Sequence, residues 1–245
     1  MTYKPQLDSM IDRSLNYGRD QIKKFITKAL INKHNKILDI GAGKGHDLLN
    51  SRVVDPSAEL HGIEIYEPYM AELRHNNIIV HSLDIEHDIF PLADESFDIV
   101  IANQILEHVK DIYWVLHEIS RVLKINGHLI VGVPNLASFH NRLLLLFGKQ
   151  PSCIQNNSAH VRGYTKDDLI ELLDSCFKDG FKLELYGGSN FYPLPAQLAK
   201  PLAKLFPNLA WSIFFMFKKK NSYGSQFLEF PVKNKLETNF YVGHS

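Results

Sequence analysis

The stretch that most constrains this chain is KILDIGAGKG, Lys36 to Gly45. An apolar run closes on Asp39 and Ile40, and Gly41, Gly43 and Gly45 then fall within five residues. The order is strand, glycine turn, helix start. In open α/β sheets, ligands bind beyond the carboxyl ends of the strands, where glycine permits positive φ and close backbone approach. Three ligands use such a turn. A phosphate loop requires GxxxxGK[ST]; counted from Gly41, its Gly-Lys would fall at His46 and Asp47, so that pattern fails. A dinucleotide loop requires GxGxxG; its third glycine would be His46, so a dinucleotide is off-pattern. The pattern the chain does carry is GxGxG, at Gly41, Gly43 and Gly45.

The rest of the chain alternates short apolar runs with helical periods. Strands are expected at 36–40, 58–65, 77–83, 97–103 and 127–134, rich in Ile and Val with little polar alternation. Strands covered on both faces look like this. Helices are expected at 17–32, 45–51, 67–75, 111–124 and 136–147, which argues for a parallel sheet with helices on both faces. After residue 148 a polar loop of about 16 residues follows, long for a compact domain and so a candidate for function. Thr165 then reads as a helix N-cap. Further strands are expected at 180–187 and 211–219, and a helix near 194–206.

Composition bounds the function. Of 245 residues, 45% are hydrophobic and 22% charged, and the formal net charge is +0. That is a globular composition without the basic excess of a nucleic-acid binder, so no nucleic-acid partner is expected. Lys218-Lys219-Lys220 is the nearest thing to a basic stripe and reads equally as a solvated strand end. Cys153 and Cys176 form no CxxC pair, so neither a metal site nor a disulfide is expected. No apolar signal core opens the chain and no run is long enough to span a bilayer, so a cytoplasmic location is expected.

Several spaced stretches together resemble the class I S-adenosylmethionine-dependent methyltransferases, in particular the ubiquinone-type and bacterial small-molecule or glycan subgroup. ILDIGAGKG is similar to their first motif. Glu64 follows Gly41 by 23 residues, where an acid can grip a ribose diol. SLDIEHDIFPLADESFDIV resembles the adenine-contacting acid and fourth strand, and EISRVLKINGHLIVGVPN the helix and fifth strand. The resemblance implies S-adenosylmethionine as cofactor, held by Asp39, Gly41, Ala42, Gly43, Glu64, Ile65, Asp84, Ile85 and Asn103. It also implies a Rossmann-like, doubly wound seven-stranded mixed sheet of order 3-2-1-4-5-7-6 with the seventh strand antiparallel. Residues 1–35 would form a helical cap, 36–219 the methyltransferase domain and 220–245 a C-terminal extension.

Methyl transfer is an in-line displacement, so no covalent nucleophile is required; alignment of the reacting groups is worth about 7–11 kcal/mol. The acceptor can still need a base. ANQI at 102–105 departs from the Asn/Asp-Pro-Pro-Tyr/Phe motif of enzymes acting on base or glutamine nitrogens, while LEHV resembles ubiquinone-type O-methyltransferases. His108, His160 and His140 are the candidate catalytic groups, with Glu107 read as structural. Arg142, Arg162 and Tyr164 are candidate contacts to the acceptor. The apolar stretches 143–147 and 191–217 are expected to pack in the core; a lipid-linked acceptor or a homodimer face is the alternative. The leading function is methyl transfer to a small molecule or glycan at oxygen. The alternatives are a nicotinamide-dependent oxidoreductase and a non-catalytic cofactor-binding scaffold.

Overall fold

A computed structural model describes residues 13–30 and 34–236, with side chains from residue 15 onward. The apolar runs form seven strands. β1 is Lys36–Ile40, β2 Glu59–Ile63, β3 Ile79–His81, β4 Phe97–Asn103, β5 Leu123–Pro134, β6 Phe181–Ser189 and β7 Ser212–Lys219. They form one sheet in the order β3-β2-β1-β4-β5-β7-β6. The first five run parallel, and β7 lies antiparallel between β5 and β6. The expected order and the antiparallel seventh strand are what the structure has. Phe214, Phe215 and Phe217 on β7 are fully buried, as an inserted strand covered on both faces must be.

Eight helices flank the sheet among the described residues: α1 Arg19–Ala29, α2 His46–Val54, α3 Glu67–His75, α4 Ile112–Val122, α5 Phe139–Leu146, α6 Lys166–Cys176, α7 Ala196–Leu205 and α8 Gln226–Lys233. Two apolar clusters fill the two faces. One is centred on α4, with Val100, Leu116, Leu129 and Phe215; the other packs α1 and α2 on Ile37, Ile101 and Phe214. Thr165 caps α6 as expected, its hydroxyl accepting from Asp168 N–H at 3.3 Å. No helix of the described residues is long and apolar enough to cross a membrane.

Three expectations are corrected. Lys219 is fully buried, not a solvated strand end: its ammonium donates to the Ser120 and Leu123 carbonyls at 2.9 and 2.7 Å and approaches Glu95 at 3.4 Å. Charge-assisted bonds to carbonyls are what let a lysine be buried. Second, part of the C-terminal stretch belongs to the core, with Phe227 on α8 fully buried against Phe177 and Phe230 stacked on Tyr113. Third, the leucines of α5 face out: Leu143, Leu145, Leu146 and Phe147 are exposed, and Asn141 is the helix's buried residue.

Candidate functional site

The glycine turn after β1 is built as the spacing demands. Gly41, Gly43 and Gly45 have φ of 68°, 53° and 75°, left-handed values that glycine adopts without cost. A side chain at Gly41 would strike Ile105 Cδ1 at 2.8 Å, whereas Gly43 faces open space. The turn is also tied across to β2. Gly43 N–H donates to Glu64 Oε2 at 2.8 Å, and Ile65 and Tyr66 N–H donate to Glu64 Oε1 at 2.9 Å. One carboxylate thus holds the turn and its own strand end together.

Two lobes open on either side of this turn, sharing Gly41, Gly43 and Tyr69. The larger, of about 390 Å³, is mainly apolar and lined by Ile63, Ile65, Leu83, Ile85, Ile105 and Val109, with Glu64 and Asp84 at its edge. Asp84 caps its own turn: Oδ1 accepts from Glu86 N–H at 2.9 Å, and Oδ2 lies 3.1 Å from His87. The Glu86 bond holds the Asp84 carboxyl below the usual range, so it is ionised.

The smaller lobe, about 240 Å³, is polar: Tyr17, Arg19, Asp39, Lys44, His46, Asp47 and Asn103 line it. Burial raises the Asp39 carboxyl well above its ordinary value, and the negative charges of Asp47 and Glu64 push it further. Burial raises Asp47 as well, opposed by the bond from Asn103 Nδ2 at 2.8 Å. Asp47 Oδ1 and Asn103 Oδ1 are buried without a protein partner, which suits a ligand bearing donors. Three carboxyls around one turn would repel a pyrophosphate and attract a cationic ligand. Arg19 supplies the opposite sign for a carboxylate at the same end.

Beyond β4 the chain turns sharply. Gln104 adopts φ of 56°, its N–H donating to Gly132 O at 2.7 Å, and a single 3-10 turn, Leu106–His108, follows. This turn sets Glu107 and His108 against the loop after α5. One oxygen of Glu107 and one ring nitrogen each of His108 and His160 lie within 4.8 Å of one another. The two imidazoles meet edge to face at 4.7 Å. His160 Nδ1 lies 2.7 Å from Cys153 O and His108 Nδ1 3.3 Å from Ala159 O. A carbonyl partner places the proton on Nδ1, leaving Nε2 with its lone pair in each neutral ring. Burial, and then the neighbouring His160, lower the His108 pKa and favour that neutral ring. Glu107 is 1% exposed, Oε2 has no partner, and burial raises its carboxyl to about 8. Glu107, expected to be structural, is thus a buried acid in a cluster that could also ligate a cation.

A family model described as a methyltransferase domain matches residues 31–178. The chain belongs to the methyltransferase-domain family. S-adenosylmethionine is the cofactor this membership brings. A Mycobacterium tuberculosis protein named "Probable S-adenosylmethionine-dependent methyltransferase" is 26% identical over 66% of this chain and 55% of its own. The human mitochondrial ubiquinone biosynthesis O-methyltransferase is 29% identical over 78% of this chain and 54% of its own. This chain thus spans about half the length of these relatives. Among solved structures, the Bacillus subtilis YcgJ protein aligns with TM-score 0.55 at 19% identity, covering 82% of this chain and 99% of that one. A [4+2]-cyclase aligns as well, with TM-score 0.59 at 16% identity, covering 82% and 81%. Fold likeness therefore does not by itself fix the reaction.

Within this methyltransferase domain the sequence-derived residues divide. Gly41, Ala42, Gly43, Glu64, Ile65, Asp84, Ile85, Asp39 and Asn103 all line one lobe or the other. His108 and His160 come together, but His140 does not join them; it packs on Tyr192 and Trp211 at 4.7 and 5.5 Å. The guanidinium of Arg162 is spent on the Val109 and Lys110 carbonyls at 3.1 and 2.7 Å. Tyr164 is 3% exposed and its hydroxyl donates to Leu106 O at 3.2 Å. Both pin the loop to the Glu107 turn rather than face an acceptor. Arg142 is exposed, its Nε donating to Ala137 O at 2.7 Å. Sequence reasoning missed Asp47, Arg19 and Tyr69. Asp47 lies four residues after Gly43 at the start of α2, the signal that could have found it.

Proposed function

We propose that this domain moves the methyl group of S-adenosylmethionine to an oxygen of a small-molecule or glycan acceptor. The observation that carries the reading is the pairing of His108, which lines the apolar lobe, with His160, whose ring meets it edge to face at 4.7 Å. In this reading Glu64 and Asp84 hold ribose and adenine in the apolar lobe, with Ile65 and Ile85 against the ring. Asp39, Asp47 and Arg19 hold the amino and carboxylate end in the polar lobe, and Asn103 orients Asp47. Tyr17 and Arg19 close over that end; of the expected cap 1–35, residues 1–12 and 31–33 lie outside the described residues.

When bound, the cofactor supplies an electrophilic methyl on a sulfonium and leaves as neutral S-adenosylhomocysteine. The protein's part is to align the acceptor oxygen with that methyl and to accept the hydroxyl proton at Nε2 of His108 or His160. Base assistance of this kind is worth about 10²–10⁴-fold. Burial raises the Glu107 carboxyl to about 8 and favours the neutral ring of His108. Oxygen as the acceptor atom is supported by LEHV, by the absence of a Pro-Pro-Tyr type motif, and by the name of the human relative. The free buried thiols Cys153 and Cys176 agree with a reducing, cytoplasmic setting.

Calorimetric titration with S-adenosylhomocysteine and NAD tests the cofactor reading. Binding of NAD without S-adenosylhomocysteine would overturn it. Labelled-methyl transfer to fractionated extracts tests the reaction: label in oxygen-linked methyl groups is expected, and no transfer to any fraction would leave a binding scaffold.

A further inference from the structure

α5 is inside out. Its sequence, FHNRLLLL, offers leucines to a core, yet Asn141 is 1% exposed while Leu146 and Phe147 are 76% and 74% exposed. The inversion is fixed by hydrogen bonds. Asn141 Nδ2 donates to Asn135 O at 3.0 Å, and its Oδ1 accepts from Ser152 N–H and Oγ at 3.1 and 3.0 Å. The Ser138 hydroxyl caps the helix at Asn141 N–H. Turning the leucines inward would leave that buried amide without partners, at a cost of about 1–3 kcal/mol. The leucines are therefore held outward by the fold.

The second apolar edge is α7. Leu205 and Phe206 at its end are 70% and 52% exposed. Both elements are anchored at one place: Phe139 stacks on Phe191 at 5.9 Å, His140 lies on Trp211, and Asn135 Nδ2 donates to Asn208 O at 2.9 Å. Exposed apolar side chains on two elements tied together at one place mark an interaction surface.

Charge says what covers it. No Asp or Glu lies between Glu118 and Asp167, nor between Glu184 and Glu229. Yet the whole chain is balanced, with 27 acids and 27 bases. The two stretches that build this surface hold none of the acids and carry exposed Arg142, Lys149, Lys200 and Lys204. Asp20 of α1 is the acid that approaches, 3.6 Å from Lys200. A second copy would set cations against cations, which is unfavourable. Leucine and phenylalanine between lysine and arginine instead match the boundary of an anionic bilayer, where apolar side chains enter the acyl region and cations meet headgroups.

We infer that the α5–α7 face docks this protein on an anionic lipid bilayer. The surface stands independently of the acceptor's identity. The loop carrying His160 leaves directly from the end of α5, so docking sets the acceptor side of the site toward the headgroups.

The test is flotation of the full chain with vesicles of phosphatidylcholine alone and with about one-third phosphatidylglycerol. Binding to the anionic vesicles is expected, weakening as salt rises. The double variant Leu146→Glu, Phe147→Glu removes two exposed apolar anchors and should lower vesicle affinity at least tenfold, since burying either side chain is worth about 1.5–3 kcal/mol. Lys200→Glu with Lys204→Glu should lower binding to anionic vesicles while leaving the weak phosphatidylcholine binding unchanged. Val53→Glu, on the exposed face of α2, should change neither. Absence of wild-type binding at low salt, or binding that survives the α5 double variant, overturns the inference. So does a dimer in sedimentation equilibrium that the double variant dissociates, which would assign the face to a second copy.

Discussion

The two ends of this site are held by different physics. Around Gly41 the wall is backbone: three left-handed glycines, the Ala42 N–H on Ile63 O, and Glu64 bridging turn and strand. Around His108 the wall is side chains from separate elements, with Arg162, Tyr164 and Cys153 fixing a loop to the turn after β4. Backbone walls depend on local spacing; side-chain walls depend on which distant residues meet. The first end therefore suits one invariant ligand, and the second can be rebuilt for different acceptors.

The difference can be broken experimentally. The largest effect should come from the acceptor end: His160→Ala is expected to lower turnover by about 100-fold or more, with S-adenosylhomocysteine affinity little changed. Calorimetry and initial rates check it together. A loss confined to cofactor affinity would move His160 to the other end.

Next is Glu107→Gln. Burial raises the folded carboxyl to about 8 against an ordinary 4.5. From pH 4.5 to about 8 the unfolded chain releases this proton while the folded chain retains it, so wild-type stability falls as pH rises. The Gln variant lacks that slope and should be more stable than wild type at pH 8, by a difference on the order of a few kcal/mol, with little difference at pH 4. Denaturant unfolding across that range measures it. Equal slopes would show Glu107 ionised, as a bound cation would make it.

Third is Glu64→Ala, which should weaken S-adenosylhomocysteine binding by more than about 1.5 kcal/mol, because it removes hydrogen bonds to a charged group. Unchanged affinity would contradict the ribose role. The smallest effect is expected for Tyr164→Phe: about 1 kcal/mol of stability from the lost bond to Leu106 O, with turnover preserved within a few-fold. A large loss of turnover would return Tyr164 to the acceptor's reach.

The same contrast explains what the amino-acid sequence made legible. KILDIGAGKG, Glu64 and Asp84 are close along the chain, and the glycine spacing with the family resemblance picked out residues that line the two lobes; the alternation of apolar runs located the sheet. His108 with His160 required two elements 52 residues apart to converge, so the sequence could nominate each without pairing them or adding Glu107. Arg162 and Tyr164 were nominated as acceptor contacts because a polar loop hides whether its side chains point outward or back onto carbonyls. α5 misled for the opposite reason: four leucines signal a core, and only the Asn141 hydrogen bonds, made to Asn135 and Ser152, turn the helix over. Lys219 was hidden by its neighbours Lys218 and Lys220, since three like residues at a strand end alternate between faces.

The bridge made by Glu64 has a kinetic consequence. Its two oxygens already restrain Gly43, Ile65 and Tyr66 before any ligand arrives. Among the described residues that wall is already ordered, so its ordering charges little conformational entropy against association. In the proposed reading arrival is then set by diffusion into the cleft, and discrimination between the methyl donor and its demethylated product falls to the departure rates.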